Sequence, residues 1–411
     1  MKFLLSAKNG DVTNWGAAKE FATSYRQALL DLTSSATGGS AETFFSEACA
    51  TLENAVNTHQ TLVNRMNSLV EAAASAPSTG DLRELTASFY GDLYTLFGHF
   101  RSVPAFYQFS MVFLRRMSSV LIVRATDQLG LSVGHLPEME LIAVGQGGRC
   151  EYSPFSPLQI LLVYGEITAS QLQAVEQFGA ALHDGFEAAG LAVDPVVTPR
   201  NERWRGTLAD WQQRCEKGLR PQTDDESISL CRLSDLSTLS SDKGLGLQLR
   251  EMSSSALNGS RPVLTSLIER MAALSNGLGI MGRLKVERRG SRRGLFRLHD
   301  HGILPFSVAL SALALIKGIE AVGSCERIHE LLRRRELDVE MAERMLAAWY
   351  TLHDLRLWRE QSLRMEQLSD VSSCLDPDEL TAEQRHSLKE ALESTAVIQR
   401  YVEMTFSGMG E

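Results

Sequence analysis

Through its first hundred residues the chain repeats one pattern: apolar positions three and four apart, with polar residues between them. NWGAAKEFATSYRQALLDL, AETFFSEACATLENAVNTHQTLVNRMNSLVEAAA and DLRELTASFYGDLYTLFGHF all show it. That spacing lines one face of a helix and predicts that the face is buried. The small polar runs SSATGGS and SAPSTG separate the helices, and Ser40 and Asp81 stand where N-caps are expected. AFYQFSMVFLRRMSSVLIVRATDQLG continues the helical pattern.

From Glu140 the apolar runs shorten, as strands do. MELIAVG, LQILLVYG, AVDPVV and SISLCRL are predicted strands, with one amphipathic helix, TASQLQAVEQFGAALHDGFEAAG, among them, closed by Gly190. After about Arg250 the helical spacing returns, and LDPDELTAEQR reads as a turn feeding an N-cap at Thr381, with Glu383 and Gln384 in the first turn. The predicted class is therefore α+β and mainly helical. A mixed-sheet α/β domain (101–250) lies between an N-terminal helical domain (1–100) and a C-terminal one (251–411).

A length of 411 residues calls for two or three domains, and 44% apolar with 22% charged residues is ordinary globular composition. The net charge of −9 argues against a nucleic-acid partner. RLKVERRGSRRG (Arg283 to Gly294) is the local exception, read first as a solvated β-turn and second as a docking patch for an acidic or phosphate-bearing partner. Six cysteines are scattered without a CxxC pair, and the N-terminal apolar run is far shorter than a signal segment. No membrane partner is expected, because ILPFSVALSALALIKGI has the length of a buried core helix. The expected setting is the cytoplasm.

The candidate chemistry sits in AVGQGGRCEYSPFSPLQILLVYG, Ala143 to Gly165. A glycine-rich turn lets backbone N–H groups approach an anion, and the Arg149 guanidinium suits phosphate oxygens. On these residues alone a simple tight turn is the commoner explanation. Such a turn followed by a strand with carboxylates two residues apart is the nucleotidyltransferase arrangement. Residues two apart on a strand share a face and can hold the Mg²⁺ ions of a nucleoside triphosphate.

From about Tyr107 to Thr405 the chain resembles a bacterial nucleotidyltransferase-like family related to the PII-protein uridylyltransferases. The family's hairpin runs Gly-Ser-x-Gly-Arg-x-Glu, then Asp-Gln-Asp and an apolar strand. Gly145, Gly148, Arg149 and Glu151 match it, followed by Leu161, Leu162, Val163 and Tyr164. Asn201, Trp204, Thr207, Leu208 and Trp211 match its next motif, and its third carboxylate falls on Asp235, with Ser237 where an arginine stands in the family. GILPFSVALSALAL, CERI, LHDLRLWREQ and LDPDEL resemble its C-terminal helical, substrate-binding domain. The resemblance implies nucleotide-binding roles for Gly145, Gln146, Gly148 and Arg149, and catalytic roles for Asp235 and Glu151.

The departures fall on the chemistry. The two metal-binding aspartates land on Pro157 and Gln159, and no Asp or Glu lies between Glu151 and Glu166, so no shift of register restores the pair. Gln146 replaces the hairpin serine, Ser311 a helix arginine, His299 a basic residue, and DPVV a Gly-Gly before Asn201. Three functions stay open. The first is a degenerate nucleotidyltransferase that signals by binding a nucleotide or a protein partner. The second is an active Mg²⁺-dependent uridylyl- or adenylyltransferase, with Mg²⁺ required only in that case. The third is a helical interaction scaffold. Elsewhere, RLHDHG brings His299, Asp300 and His301 together and reads as a surface loop rather than a zinc site. Trp204, Trp211, Trp349 and Trp358 read as packing residues, and Cys150 beside Arg149 as a thiol whose pKa could fall.

Overall fold

The computed structural model describes residues 39–131, 136–218, 232–240, 243–279, 282–366 and 374–408. The predicted helix at NWGAAKEFATSYRQALLDL and most of the predicted strand SISLCRL lie outside these residues. The chain divides into two compact units, 1–68 and 69–411. The described part of the first is helical, within α1 (Gly39–Ser75), a helix that already includes Ser40.

In the second unit, α2 (Thr79–Phe100) begins two residues before the expected cap. Ser78 is the N-cap, and Asp81 is the N3 partner of a reciprocal capping box, its carboxylate accepting the Ser78 N–H at 2.8 Å. An aspartate can serve either position, so composition alone could not separate them. α3 (Val103–Gln128) packs on α2 through Phe89 and Phe113, stacked 4.0 Å apart.

The sheet is mixed and four-stranded, in the order β3-β2-β1-β4. β1 (Met139–Val144) runs antiparallel to β2 (Ile160–Tyr164) with Ile142 opposite Leu161, and antiparallel to β4 (Leu236–Thr238). α4 (Ala169–Ala188) then carries the chain across to β3 (Arg205–Thr207), which lies parallel to β2. The two central strands are buried almost end to end because α6 (Leu245–Asn258) packs on β1, β2 and β4. Glu140, the one charged residue of β1, is fully buried yet paired: its carboxylate accepts the backbone N–H groups of Leu245 at 3.1 Å and Gly246 at 2.8 Å, capping α6.

One predicted strand is misplaced. AVDPVV makes only a single parallel bridge, Val193 to Leu158, and then turns away, because Asp194 Oδ1 accepts the Val196 and Val197 N–H groups at 2.8 and 2.9 Å and Pro195 has no N–H to extend a ladder. The strand forms instead at Arg205–Thr207, just before α5 (Leu208–Gly218).

The remaining elements are helical: α7 (Arg261–Ala273), α8 (Leu304–Ile316), α9 (Ser324–Arg333), α10 (Val339–Glu366) and α11 (Ala382–Gly408). Thr381 caps α11 as expected, its Oγ1 accepting the Gln384 N–H at 3.1 Å. The apolar segment His299–Ile316 is long enough to cross a membrane, but two-thirds of it is buried within the fold, against α7 and α11. A two-residue ladder joins β5 (Phe296–Arg297) to β6 (Cys374–Leu375), and a hairpin closed by the Val286–Phe296 bridge ends in an exposed tip, 288–294. α10 spans most of the unit, touching α9, α11, α2 and α3.

A single helical turn, Gly145–Gly148, follows β1 directly. Gly145 has φ of +60°, and a Cβ there would sit 2.7 Å from Gln159 Oε1. Gly148 lies against the chain as it approaches β4, where an added Cβ would fall 1.8 Å from the Asp235 carbonyl oxygen. Packing alone therefore requires glycine at 148. Replacing it, Gly148→Ala, should destabilise the unit by about 2 kcal/mol or more in denaturant unfolding; an unchanged midpoint would show that β4 does not press on the turn as described.

Candidate functional site

Arg149 leaves the helical turn buried, with only 9% of its surface exposed. Its Nε donates to Glu151 Oε2 at 2.9 Å, and its Nη1 to Asp235 Oδ2 at 2.6 Å. The second Asp235 oxygen faces Arg327 Nη1 of α9 at 2.8 Å. Arg327 also donates to Ser311 Oγ of α8 at 2.8 Å, to the Ser234 carbonyl at 3.0 Å and to the Ala321 carbonyl at 2.9 Å. At the other end, Trp349 Nε1 of α10 donates to Glu151 Oε1 at 2.8 Å. Two arginines and two carboxylates thus form a closed, neutral, buried chain from β4 to α10. Removing one member would strand the charge of its partner, at a cost of about 3–5 kcal/mol.

The predicted residues come together, and their chemistry is already committed. Burial on its own would raise the Glu151 carboxyl, but the Arg149 charge beside it and the Trp349 hydrogen bond outweigh this and hold it at about 2. Cys150 corrects an expectation: burial pushes its thiol up rather than down, despite the neighbouring arginine. His299 does not sit in a surface loop; it begins a π-helical turn, His299–Ile303, where burial lowers it to about 4.

A hard divalent cation does not fit these residues. Both Asp235 oxygens are taken by guanidinium groups, Pro157 offers no ligand, and the Gln159 amide donates to Asp194 Oδ2 at 2.8 Å. Among the described residues, no cluster of three or more His, Cys, Asp or Glu side chains could hold a metal ion.

Two participants escaped the sequence reading. Arg327 lies in CERI, which served only as a family marker, and Asp194 in DPVV, which registered only as a lost Gly-Gly. Arginines also reach two of the positions where the resemblance implies arginine and the chain has serine. Arg327 meets Ser311, and Arg115 Nη2 of α3 donates to Ser237 Oγ at 3.3 Å. The cations are present but enter from other elements, a substitution that no local motif reveals.

Next to this chain lies a cavity of about 970 Å³. Gly145, Gln146, Pro157 and Gln159 of the hairpin form one side, and α7 and α8 the other, through Leu267, Leu274, Leu304 and Val308. A second buried cluster forms its floor: Arg356 of α10 donates to Glu360 at 2.8 Å and to Ser153 and Ser156 at 2.7 and 2.9 Å, and Tyr94 donates to the same glutamate at 2.8 Å. The volume is that of a site for a nucleotide-sized molecule.

Residues 93–225 match the family described as Putative nucleotidyltransferase DUF294, and residues 261–406 match its companion, Putative nucleotidyltransferase substrate binding domain. No curated protein matches the chain. The cavity is lined by residues of both matched segments and by Arg232, Ser234 and Asp235, which lie between them in sequence.

The Glu151 carboxyl yields a pH prediction. Its folded pKa of about 2 lies below the ordinary 4.5, so its stabilising contribution is complete above 4.5 and is lost as pH falls towards 2. Glu151→Gln should lower stability at neutral pH by a few kcal/mol and flatten the acid limb in urea unfolding measured across that range. An acid limb as steep as that of the parent protein would contradict the assignment.

Proposed function

We propose that this chain, which carries the nucleotidyltransferase domain and the substrate-binding domain of its family, is a degenerate member that signals by binding rather than by nucleotidyl transfer. Asp235 carries the reading. In-line attack on an α-phosphate needs carboxylates free to hold Mg²⁺ ions, which position the triphosphate and neutralise developing charge. Here the carboxylate at the family's third position, Asp235, lies between two guanidinium groups, at 2.6 and 2.8 Å. Its expected companions are Pro157 and Gln159.

The rest of the architecture supports binding. The hairpin, the sheet and the helical domain enclose a cavity large enough for a nucleotide. The buried ion chain joins β4 and the hairpin to α8, α9 and α10, so a molecule entering the cavity meets groups that tie the two matched domains together. A binding event there has a direct route to the relative fit of those helices, which is what a signalling protein requires. The resemblance to PII-protein uridylyltransferases suggests that the outgoing partner is a protein.

The test is to incubate the protein with each α-labelled nucleoside triphosphate and Mg²⁺, and to follow both pyrophosphate release and label transfer to protein. Neither should rise above the rate without protein. Turnover that disappears in Asp235→Asn would overturn the reading and favour an active uridylyl- or adenylyltransferase.

A further inference from the structure

The hairpin that leads into β5 carries a concentration of charge that the fold does not use. Residues 288–294 read RRGSRRG, and every one of them is exposed. Two successive turns wind them tightly: the Arg293 N–H donates to the Gly290 carbonyl at 3.2 Å, and the Leu295 N–H to the Arg292 carbonyl at 3.0 Å. Below the turns, Glu287 donates its N–H to the Leu295 carbonyl and accepts that of Gly294, both at 2.9 Å. Phe296 anchors the base, being fully buried and paired with Leu375 in the β5–β6 ladder. The arginines are thus presented to solvent on a held loop.

Most of this charge goes unanswered within the fold. The acids next to the hairpin in sequence are committed: Glu287 faces Arg297 at 3.5 Å, and Arg297 also pairs with Asp300. Arg288, Arg289 and Arg293 make no side-chain hydrogen bond or ion pair with any described residue. Like charges crowded on one loop repel one another, so the tip weakens the folded state slightly and buries nothing in exchange. A local conflict of this kind marks a surface shaped by a partner.

The composition of the tip narrows that partner. Single strands of nucleic acid need aromatic platforms, and membrane surfaces need apolar side chains that enter the interface. Residues 288–294 have neither. A duplex or an anionic bilayer would also face the rest of a chain whose net charge is −9. A compact acidic segment meets the tip alone, and guanidinium groups pair bidentately with carboxylates. Taking from the binding reading above only that the outgoing partner is a protein, we infer that residues 288–294 are its docking surface and that the partner presents a cluster of carboxylates. β5 runs on from this tip through Leu298 and His299, which line the cavity, so partner and cavity ligand act on one stretch of chain.

Fluorescence anisotropy at low ionic strength tests this with labelled octaglutamate and a labelled DNA duplex, alongside co-sedimentation with phosphatidylglycerol vesicles. Octaglutamate should bind more tightly than the duplex, and the vesicles should not retain the protein. Replacing three arginines together, Arg288→Ser, Arg289→Ser and Arg293→Ser, should weaken octaglutamate binding about tenfold without lowering the melting temperature. The same change of charge on α9, through Arg333→Ser, Arg334→Ser and Arg335→Ser, should leave the affinity unchanged, since Arg333 and Arg334 already pair with Glu330. No binding of octaglutamate, no loss in the tip variant, an equal loss in the α9 variant, or tighter binding of the duplex or the vesicles would overturn the inference. Any of these leaves the degenerate reading in place; label transfer from a nucleoside triphosphate would remove that reading and leave the docking result standing.

Discussion

Asp235 approaches β4 with a guanidinium on each of its carboxylate oxygens, and the arrangement of the larger unit depends on that clamp. The arginines come from opposite directions. Arg149 arrives from the hairpin and brings Glu151 and Trp349 with it; Arg327 arrives from α9 and is steadied by Ser311 of α8. Four residues that could have formed a reactive centre instead cancel one another's charge in a buried, fully hydrogen-bonded chain. The Coulombic gain in such a setting offsets the cost of burial only because every partner is present.

The clamp also decides what the cavity can do. Each oxygen of the Asp235 carboxylate already meets a guanidinium group, and a hard cation would have to compete with both. The cavity remains, with an apolar wall from Leu267, Leu304 and Val308 of α7 and α8. A metal centre and the pocket beside it would rest on different residues. The first needs acids at 157 and 159, the second only the packing of hairpin against helices. Gly148 belongs to the second group, since the backbone at Asp235 presses on it whatever the cavity holds.

Much of this was legible in the sequence, and the reason differs by element. β1 and β2 stand out because both faces are covered, which demands unbroken apolar runs. The helices stand out through their spacing. β3 did not, being three residues whose strand character comes from pairing with β2, while the more apolar AVDPVV is diverted into a turn by Asp194 and Pro195. At the site, Arg149 and Glu151 were visible as neighbours, and Pro157 and Gln159 as misfits. Arg327 and Arg115 were not, because they reach Ser311 and Ser237 from helices distant in sequence, and only the tertiary fold sets that meeting.

The most direct measurement is of the clamp itself, through its competition with a divalent metal. Electron paramagnetic resonance of Mn²⁺ titrated into the protein, alone and with a nucleoside triphosphate, reads whether any carboxylate of the site is free to coordinate. The predicted spectrum is that of the hydrated ion, or of the nucleotide complex free in solution, and is unchanged by Asp235→Asn. A tightly bound signal that the same substitution abolishes would show that Asp235 holds metal rather than arginine, and would contradict the account.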